Sequence, residues 1–319
     1  MRLLWLRARL LLATTLFIAI TTLVFTAFLS YIGVFNLYLI ATLVIAFNII
    51  QWLMAPKIIN ALYRVREAGP EYSDIRDMLV ELSSRSNMKP PKLMIAELPI
   101  PNAFAYGSPL TGNMVAVTRG LLNTLSRDEL EAVLAHEVGH LKHRDVQLMM
   151  FLSILPAIFY YIGYSLYFSA LFNRDRGSGL FILGILSIFI YYILSLIVLW
   201  VSRIREYYAD FHAVSIVKQG GVKLANALVK IITETGRMVY RGHDIHRYSG
   251  VKALFIADPD KSSEEMVELV KYNLVDNRVL SIARRRVTFG DNLMELFSTH
   301  PNTVKRIRRL LSYHDIDVS

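Results

Sequence analysis

This chain contains no cysteine. Disulfides are therefore impossible, which agrees with a reducing compartment. The chain is also short of charge, since only 19% of its 319 residues are Asp, Glu, Lys or Arg. With 54% hydrophobic residues and a mean hydropathy of +0.39, it is too apolar for an ordinary soluble protein. Internal repeats and low-complexity tracts are absent as well.

Four stretches account for the excess. Leu10 to Leu29 carries no charge, and about 20 apolar residues suffice to cross a bilayer. Val34 to Met54, Leu148 to Phe172 and Leu180 to Ser202 are likewise free of charge. The first stretch lacks a clear small-residue cleavage site and a second follows at once, so it reads as an anchor and not a cleaved signal. The later pair holds Pro156, Gly163 and several tyrosines, among them Tyr160, Tyr164 and Tyr191. That mixture suits membrane helices with polar rims or a hydrophobic hairpin packed on the protein, and spanning is the preferred reading. A charge within a span is the usual mark of a transport pathway, and none is present.

Basic residues near the spans set the expected orientation. Arg2, Arg7 and Arg9 precede the first, and Lys57, Arg64 and Arg66 follow the second. Lys142 and Arg144 precede the third, and Arg203 and Arg205 follow the fourth. The loop Asn173 to Arg176 is a mild exception. Both termini are thus expected in the cytoplasm of a multi-pass protein of the inner or plasma membrane. The net charge of +9 fits the same picture, because anionic lipid attracts juxtamembrane Lys and Arg. The basic runs Arg284 to Arg286 and Lys305 to Arg309 lack the interleaved aromatics of single-strand binders, so no nucleic-acid partner is expected.

The residues most suggestive of chemistry are His136-Glu137-Val138-Gly139-His140. A helix turns once in about 3.6 residues, so His136 and His140 share a face and can grip one metal ion. Glu137 lies one position round the helix, placed to polarise a water as general base. Ser126 with Glu129 reads as a capping box that starts the helix, and Leu130, Val133, Leu134 and Val138 read as its apolar face. Gly139 is costly inside a helix and is best tolerated where another group approaches the backbone closely. Two histidines and a glutamate on a solvated helix face remain the bland alternative.

Catalytic zinc usually takes three protein ligands and a water. His143 is one turn past His140, but three ligands along one straight helix spread by about 1.5 Å per residue, poorly suited to a tetrahedron. His212, His243, His246 and His314 are isolated and read as surface or packing residues. Glu206 is the stronger candidate, since a membrane hairpin after the H-E-x-x-H helix returns it to the same side. Asp210, one turn later, is placed to accept a hydrogen bond from a ligand imidazole. A surface acidic pair beside Arg203 and Arg205 is the alternative.

Around these motifs the chain reads as a helix from Tyr72 to Ser86, a strand from Lys92 to Ala96 and a strand from Asn113 to Thr118. Helices are expected from Ser202 to about Lys218 and from Val222 to Thr235, with a helical patch near Ser263 to Asn273. A small sheet beside the H-E-x-x-H helix would offer an edge strand to an extended peptide.

Further elements extend the pattern along the chain: Pro101-Asn102-Ala103-Phe104-Ala105, Glu206 to Asp210 as E-x-x-A-D, Ala253 to Ile256 with Pro259, and Ser298-Thr299-His300-Pro301 followed by Arg306-Ile307. In order and spacing the whole resembles the HtpX-type membrane zinc metalloproteases, gluzincins related to the CAAX prenyl endopeptidases. The resemblance implies one zinc ion per chain held by His136, His140 and Glu206, with Glu137 as general base. It also implies that His300 and Arg306 lie near the site to steady an oxyanion, and that Asn102 binds substrate backbone.

The expected fold is mainly α with a small β-sheet, an integral membrane zincin with about four transmembrane helices and a cytoplasmic metallopeptidase domain. Residues 1–54 and 148–202 are the expected membrane hairpins, and residues 55–147 and 203–319 the cytoplasmic parts. The implied function is zinc-dependent endopeptidase action on polypeptides, membrane proteins above all, in quality control. A prenyl-protein endopeptidase with more spans and a non-enzymatic membrane scaffold or transporter are the rivals.

Overall fold

A computed structural model of the chain describes residues 37–172, 177–241, 278–314 and 316. The expected first span, the patch at 263–273, the stretch from Ala253 to Pro259 and His243 and His246 lie outside the described residues. In chain order the elements are α1 (Leu37–Leu62), β1 (Val65–Glu67), α2 (Ser73–Arg85), β2 (Lys92–Ala96), β3 (Ala103–Ser108) and β4 (Gly112–Thr118). They continue with α3 (Arg119–Thr124), α4 (Arg127–Lys142), α5 (Asp145–Phe172), α6 (Gly177–Ile216) and α7 (Gly220–Tyr240). The last are α8 (Arg278–Arg284), α9 (Phe289–Leu296) and α10 (Thr303–Ser312).

The chain divides into two units, Met1–Gln51 with Met150–Val198, and Trp52–Met149 with Leu199–Ser319. In the first, helices α5 and α6 close on each other at Gly163, where an added Cβ would stand 2.8 Å from Ile188 Cγ1. Small residues allow such approach between membrane helices, where packing rather than water drives association. Among the described residues three helical stretches are long and apolar enough to span a bilayer: Thr42–Leu62, Asp145–Leu171 and Gly179–Ile216. Phe47, Phe151, Ile182 and Phe189 are all exposed. Apolar surface of that extent is stable in hydrocarbon and a liability in water. Helix α6 does not stop at Ser202, where the apolar stretch ends, but runs on to Ile216 and carries Glu206 and Asp210.

The second unit holds a four-stranded sheet of order β1-β2-β4-β3, in which β2 and β4 are parallel and the other pairs antiparallel. Its side chains alternate between two buried faces, as a pleated strand requires. Leu93, Ile95, Val115 and Val117 join one core, and Met94, Ala96, Met114 and Ala116 join the other with Phe104 and Tyr106. Strands β2 and β4 fall where alternation places them. Strands β1 and β3 do not announce themselves, because Ala103 to Ser108 is rich in small and turn residues. Their pairing is decided by the neighbour, from Ala103↔Val117 to Ser108↔Gly112, rather than by intrinsic preference.

Helix α4 begins as expected, with the Ser126 and Glu129 capping box formed in both directions. The expectation of a single apolar face is corrected. Ala132, Ala135, His136, Glu137 and Gly139 are buried as fully as Leu134 and Val138. The helix is enclosed by β3 and β4, α2 and α7, so it is a core helix and its small residues are as much core as its large ones.

This enclosure ranks two substitutions. Removing the cap in Ser126→Ala should cost about 1 kcal/mol, and Leu134→Ala, at a fully buried site, roughly 2–5 kcal/mol. Thermal unfolding of the detergent-solubilised chain should show the larger fall in Tm for Leu134→Ala. The reverse order would mean that the helix depends on its cap more than on its packing.

Candidate metal centre

His136 and His140 project from one face of α4 with their Nε2 atoms 3.1 Å apart. Helix α6 adds Glu206, whose Oε2 is 3.7 Å from His136 Nε2 and whose Oε1 is 3.5 Å from His140 Nε2. One donor atom from each lies within 4.8 Å of the other two, a set able to hold a metal ion. Tetrahedral ligands about 2.0–2.2 Å from zinc stand roughly 3.3–3.6 Å from one another, the range bracketed here.

Small residues make that convergence possible. A Cβ on Gly139 would stand 3.1 Å from His212 Cβ and 3.2 Å from Ala209 Cα. Gly139 and Ala209 thus let the backbones of α4 and α6 meet, and Glu206, one turn before Ala209, reaches the imidazoles. His212 packs at the same crossing, its Nε2 2.9 Å from Ser86 Oγ. Burial and the neighbouring His143 and Lys142 pull its pKa down to about 4, so it sits there uncharged.

Each imidazole has its own carboxylate on the far side. Asp210 Oδ1 stands 3.0 Å from His136 Nδ1, and Asp145 Oδ2 stands 2.6 Å from His140 Nδ1. With Nδ1 engaged on both rings, Nε2 is left to face the centre, the tautomer that such partners impose on metal-binding histidines. Asp210 is in turn held by Arg306 of α10, with Nε to Oδ2 and Nη2 to Oδ1 both at 2.7 Å, and Arg306 Nη1 lies 3.2 Å from Glu206 Oε2. Burial alone would lower the Arg306 pKa, but the Asp210 and Glu206 charges raise it. His140 likewise resists the downward pull of burial, because its bond to Asp145 and the charges of Glu206 and Glu137 hold its pKa above the ordinary imidazole value.

The charges test whether a metal fits. Glu137, Asp145, Glu206 and Asp210 are each at least 96% buried. The cations paired with this group among the described residues are Arg306 and Arg205, the latter 3.8 Å from Asp145. Four carboxylates against two guanidinium groups leave two negative charges in a dry site, which is costly unless a cation or bound protons offset them. A divalent ion on two imidazoles and a carboxylate does so. Glu206 Oε2 and both His300 ring nitrogens are buried without a hydrogen bond, although His300 Nδ1 lies 3.4 Å from Glu206 Oε2.

The expected site residues are therefore gathered from three distant parts of the chain. His136, Glu137 and His140 come from α4, Glu206 and Asp210 from α6, and His300 and Arg306 from the C-terminal segment. Arg306 points its donors at Asp210 and Glu206 and also brings Nη2 to 3.2 Å from His136 Nε2, so it stands among the two carboxylates and that imidazole. Asn102 is buried at the start of β3, where its N–H donates to Thr118 Oγ1 and its C=O accepts from Thr118 N–H. His143 caps the end of α4 and is exposed. The residue that sequence reasoning missed is Asp145. It was readable as the lone acid between the H-E-x-x-H motif and the apolar run from Leu148. The turn that folds it back depends on Arg144, at φ 57°, which the sequence does not advertise.

A buried His-His-Glu centre in a helical protein with membrane-length helices defines a class, the membrane metalloproteases. The model of peptidase family M48 matches residues 71–314, and the chain belongs to that family. It is similar to a protein named protease HtpX homolog from Thermoplasma acidophilum, at 36% identity over 89% of each chain. A protein of the same name from Aeropyrum pernix is 38% identical over 89% of this chain and 88% of its own. Among solved structures, S. mikatae Ste24p superposes with a TM-score of 0.58 at 17% identity, covering 90% of this chain and 61% of that one. That likeness is one of fold.

Two substitutions probe the architecture behind the ligands. Asp145→Asn should weaken metal binding by about 10–100-fold, the usual effect of losing a carboxylate behind a ligand histidine, as read by competition with a chromogenic chelator. Gly139→Val should do at least as much damage, because its branched side chain forces α6 and Glu206 away. Wild-type affinity in Gly139→Val would show that Glu206 does not depend on that helix crossing.

Proposed function

We propose that this chain is a zinc-dependent endopeptidase that cleaves membrane proteins at the cytoplasmic face, in quality control of misfolded chains. The observation that carries the reading is the convergence of His136 Nε2, His140 Nε2 and a Glu206 carboxylate oxygen on one point, with Glu137 adjacent on the same helix. Zinc, when bound there by those residues, supplies Lewis-acid polarisation of the scissile carbonyl and lowers the pKa of a water to about 7.

The chain's own groups do the rest. Glu137 accepts the proton of the attacking water on its carboxylate and passes it to the amine nitrogen that leaves. Asp210 and Asp145 hold the imidazoles at the Nδ1 side, and Arg306 keeps Asp210 and Glu206 in place. His300, beside Glu206, is positioned to steady the oxyanion that develops on the carbonyl. Asn102 and strand β3 lie at the start of the sheet edge that packs on α4. An extended substrate pairing there would pass beside that helix.

Residues 1–54 and 148–202 supply the membrane hairpins, and residues 55–147 and 203–319 the catalytic part. The distribution of Lys and Arg supports a cytoplasmic location for that part and for both termini. Apolar flanks next to a protease site suit substrates that emerge from the bilayer, which supports the quality-control reading.

The test is proteolysis of an unfolded model protein by the purified, detergent-solubilised chain with and without zinc. Glu137→Gln should retain stoichiometric zinc while the rate falls by at least about 10²–10⁴-fold, the usual contribution of a general base. Chelation should abolish activity in the wild type and zinc should restore it. Metal-free protein in both forms would refute the ligand assignment, and undiminished cleavage by Glu137→Gln would refute the role of Glu137.

A further inference from the structure

Helix α9 is turned inside out. Its acidic residue Glu295 is buried, accepting from Asn302 N–H and pairing with Lys305. Its large apolar residues face outwards: Phe289 is 83% exposed, Leu293 49%, Leu296 50% and the following Phe297 64%. At spacings of four, seven and eight from Phe289 these side chains form one face. A helix that folds in water puts its apolar face inside, so the medium against this face is not water.

The surroundings say which medium. Arg203, on α6, sends Nη1 to the carbonyl oxygens of Glu295, Leu296 and Ser298 at 2.8, 3.2 and 2.9 Å. That clamp ties the end of α9 to the residue that directly follows the charge-free run of α6, which ends at Ser202. Trp200, 56% exposed on α6, shares with Leu296 the wall of a cleft of about 360 Å³. Tryptophan and a basic fringe mark the boundary between hydrocarbon and headgroups. The fringe is present just before α9, where Arg284 and Arg286 are exposed, and anionic headgroups attract such residues.

We infer that the exposed face of α9 docks in the headgroup–acyl boundary of the bilayer, as a lipid-binding surface beside the exit of α6. The occupant is lipid because the face is apolar, exposed Arg284 and Arg286 precede it, and Leu296 shares a cleft wall with Trp200 at the end of the apolar run of α6. His300 lies two residues beyond Ser298, so this surface is joined directly to the metal centre. The inference rests on reading α6 as a membrane span, and the experiment separates the two.

Because the chain lacks cysteine, a single introduced thiol carries a fluorophore at one known position. The full-length variants Leu293→Cys and Phe297→Cys would be labelled with bimane in nanodiscs of phosphatidylcholine and phosphatidylglycerol. Ile193→Cys serves as the span control and Lys142→Cys as the aqueous control. Quenching by shallow nitroxide-labelled lipid should be several-fold stronger at 293 and 297 than at 142, and quenching by iodide several-fold weaker. If 293 and 297 behave like 142 while 193 is quenched by lipid, the docking surface is refuted and the span stands. Shielding of 293 from both quenchers would mean that protein covers the face, a second copy or another part of this chain, and would refute lipid as the occupant. Loss of lipid quenching at 193 as well would overturn the membrane reading itself.

Discussion

The structure is organised around the cost of burying charge. Four carboxylates stand together in a region that excludes water, and the helices that carry them supply only Arg205 against that charge among the described arginines and lysines. Removing an isolated ion from water costs several kcal/mol even after relaxation, by order of magnitude. Part of that cost is offset because Arg306 reaches in from α10 to grip Asp210 and approach Glu206, and because His136 and His140 turn Nδ1 to Asp210 and Asp145. Metal affinity follows from the same imbalance. A buried set of groups that lacks two positive charges favours a divalent cation.

That arrangement also explains why the fold must be built as it is. No short segment of the chain could hold this site. His136 and His140 share a helix, but Glu206 lies some 66 residues further on and Arg306 another 100. Bringing them together requires α6 to lie almost in backbone contact with α4, which Gly139 and Ala209 permit. It also requires α10 to close from the other side, which it does through a fully buried face of Ile307, Leu310 and Leu311 packed with Leu224 and Leu228 in the core. Chemistry and packing here are one requirement: a helix shifted by an ångström would leave both a gap in the core and an unpaired charge.

Much of this was legible in the sequence, and the reasons differ from residue to residue. His136 and His140 could be read because helical spacing is a local property, and the cap at Ser126 for the same reason. Strand β2 alternates visibly between two cores. The pairing of β3 could not be read, since Ala103 to Ser108 gains its strand geometry from β4 rather than from its own composition. Complete burial of α4 was hidden because alanine and glycine signal no face in a hydrophobic pattern. Asp145 could be read as a lone acid, but its role was hidden because it depends on one left-handed residue, Arg144, that folds it back on His140. Helix α9, which the sequence reading did not place, is the opposite case, since its pattern is amphipathic but its acidic Glu295 is buried and its apolar residues are exposed. Local rules tell which residues share a side, and only the neighbours tell which side is inside.

The same helix that supplies Glu206 also bounds the distance between the chemistry and the membrane. From Ser202, the last residue of the charge-free run, to Glu206 is a rise of about 6 Å along a helix. On the reading of α6 as a span, Glu206 therefore lies about one helical turn from the edge of the hydrocarbon. Such closeness has consequences for the side chains between. Arg203 and Arg205 both fall in that turn, and neither is left to water alone: Arg203 is spent on backbone carbonyls at the end of α9, and Arg205 lies against Asp145 and Ser202. Cations at such a level would ordinarily extend toward headgroups. Their diversion inward ties α9 and the start of α5 to α6, so the two arginines that end the apolar run hold the neighbouring elements against the helix that carries Glu206.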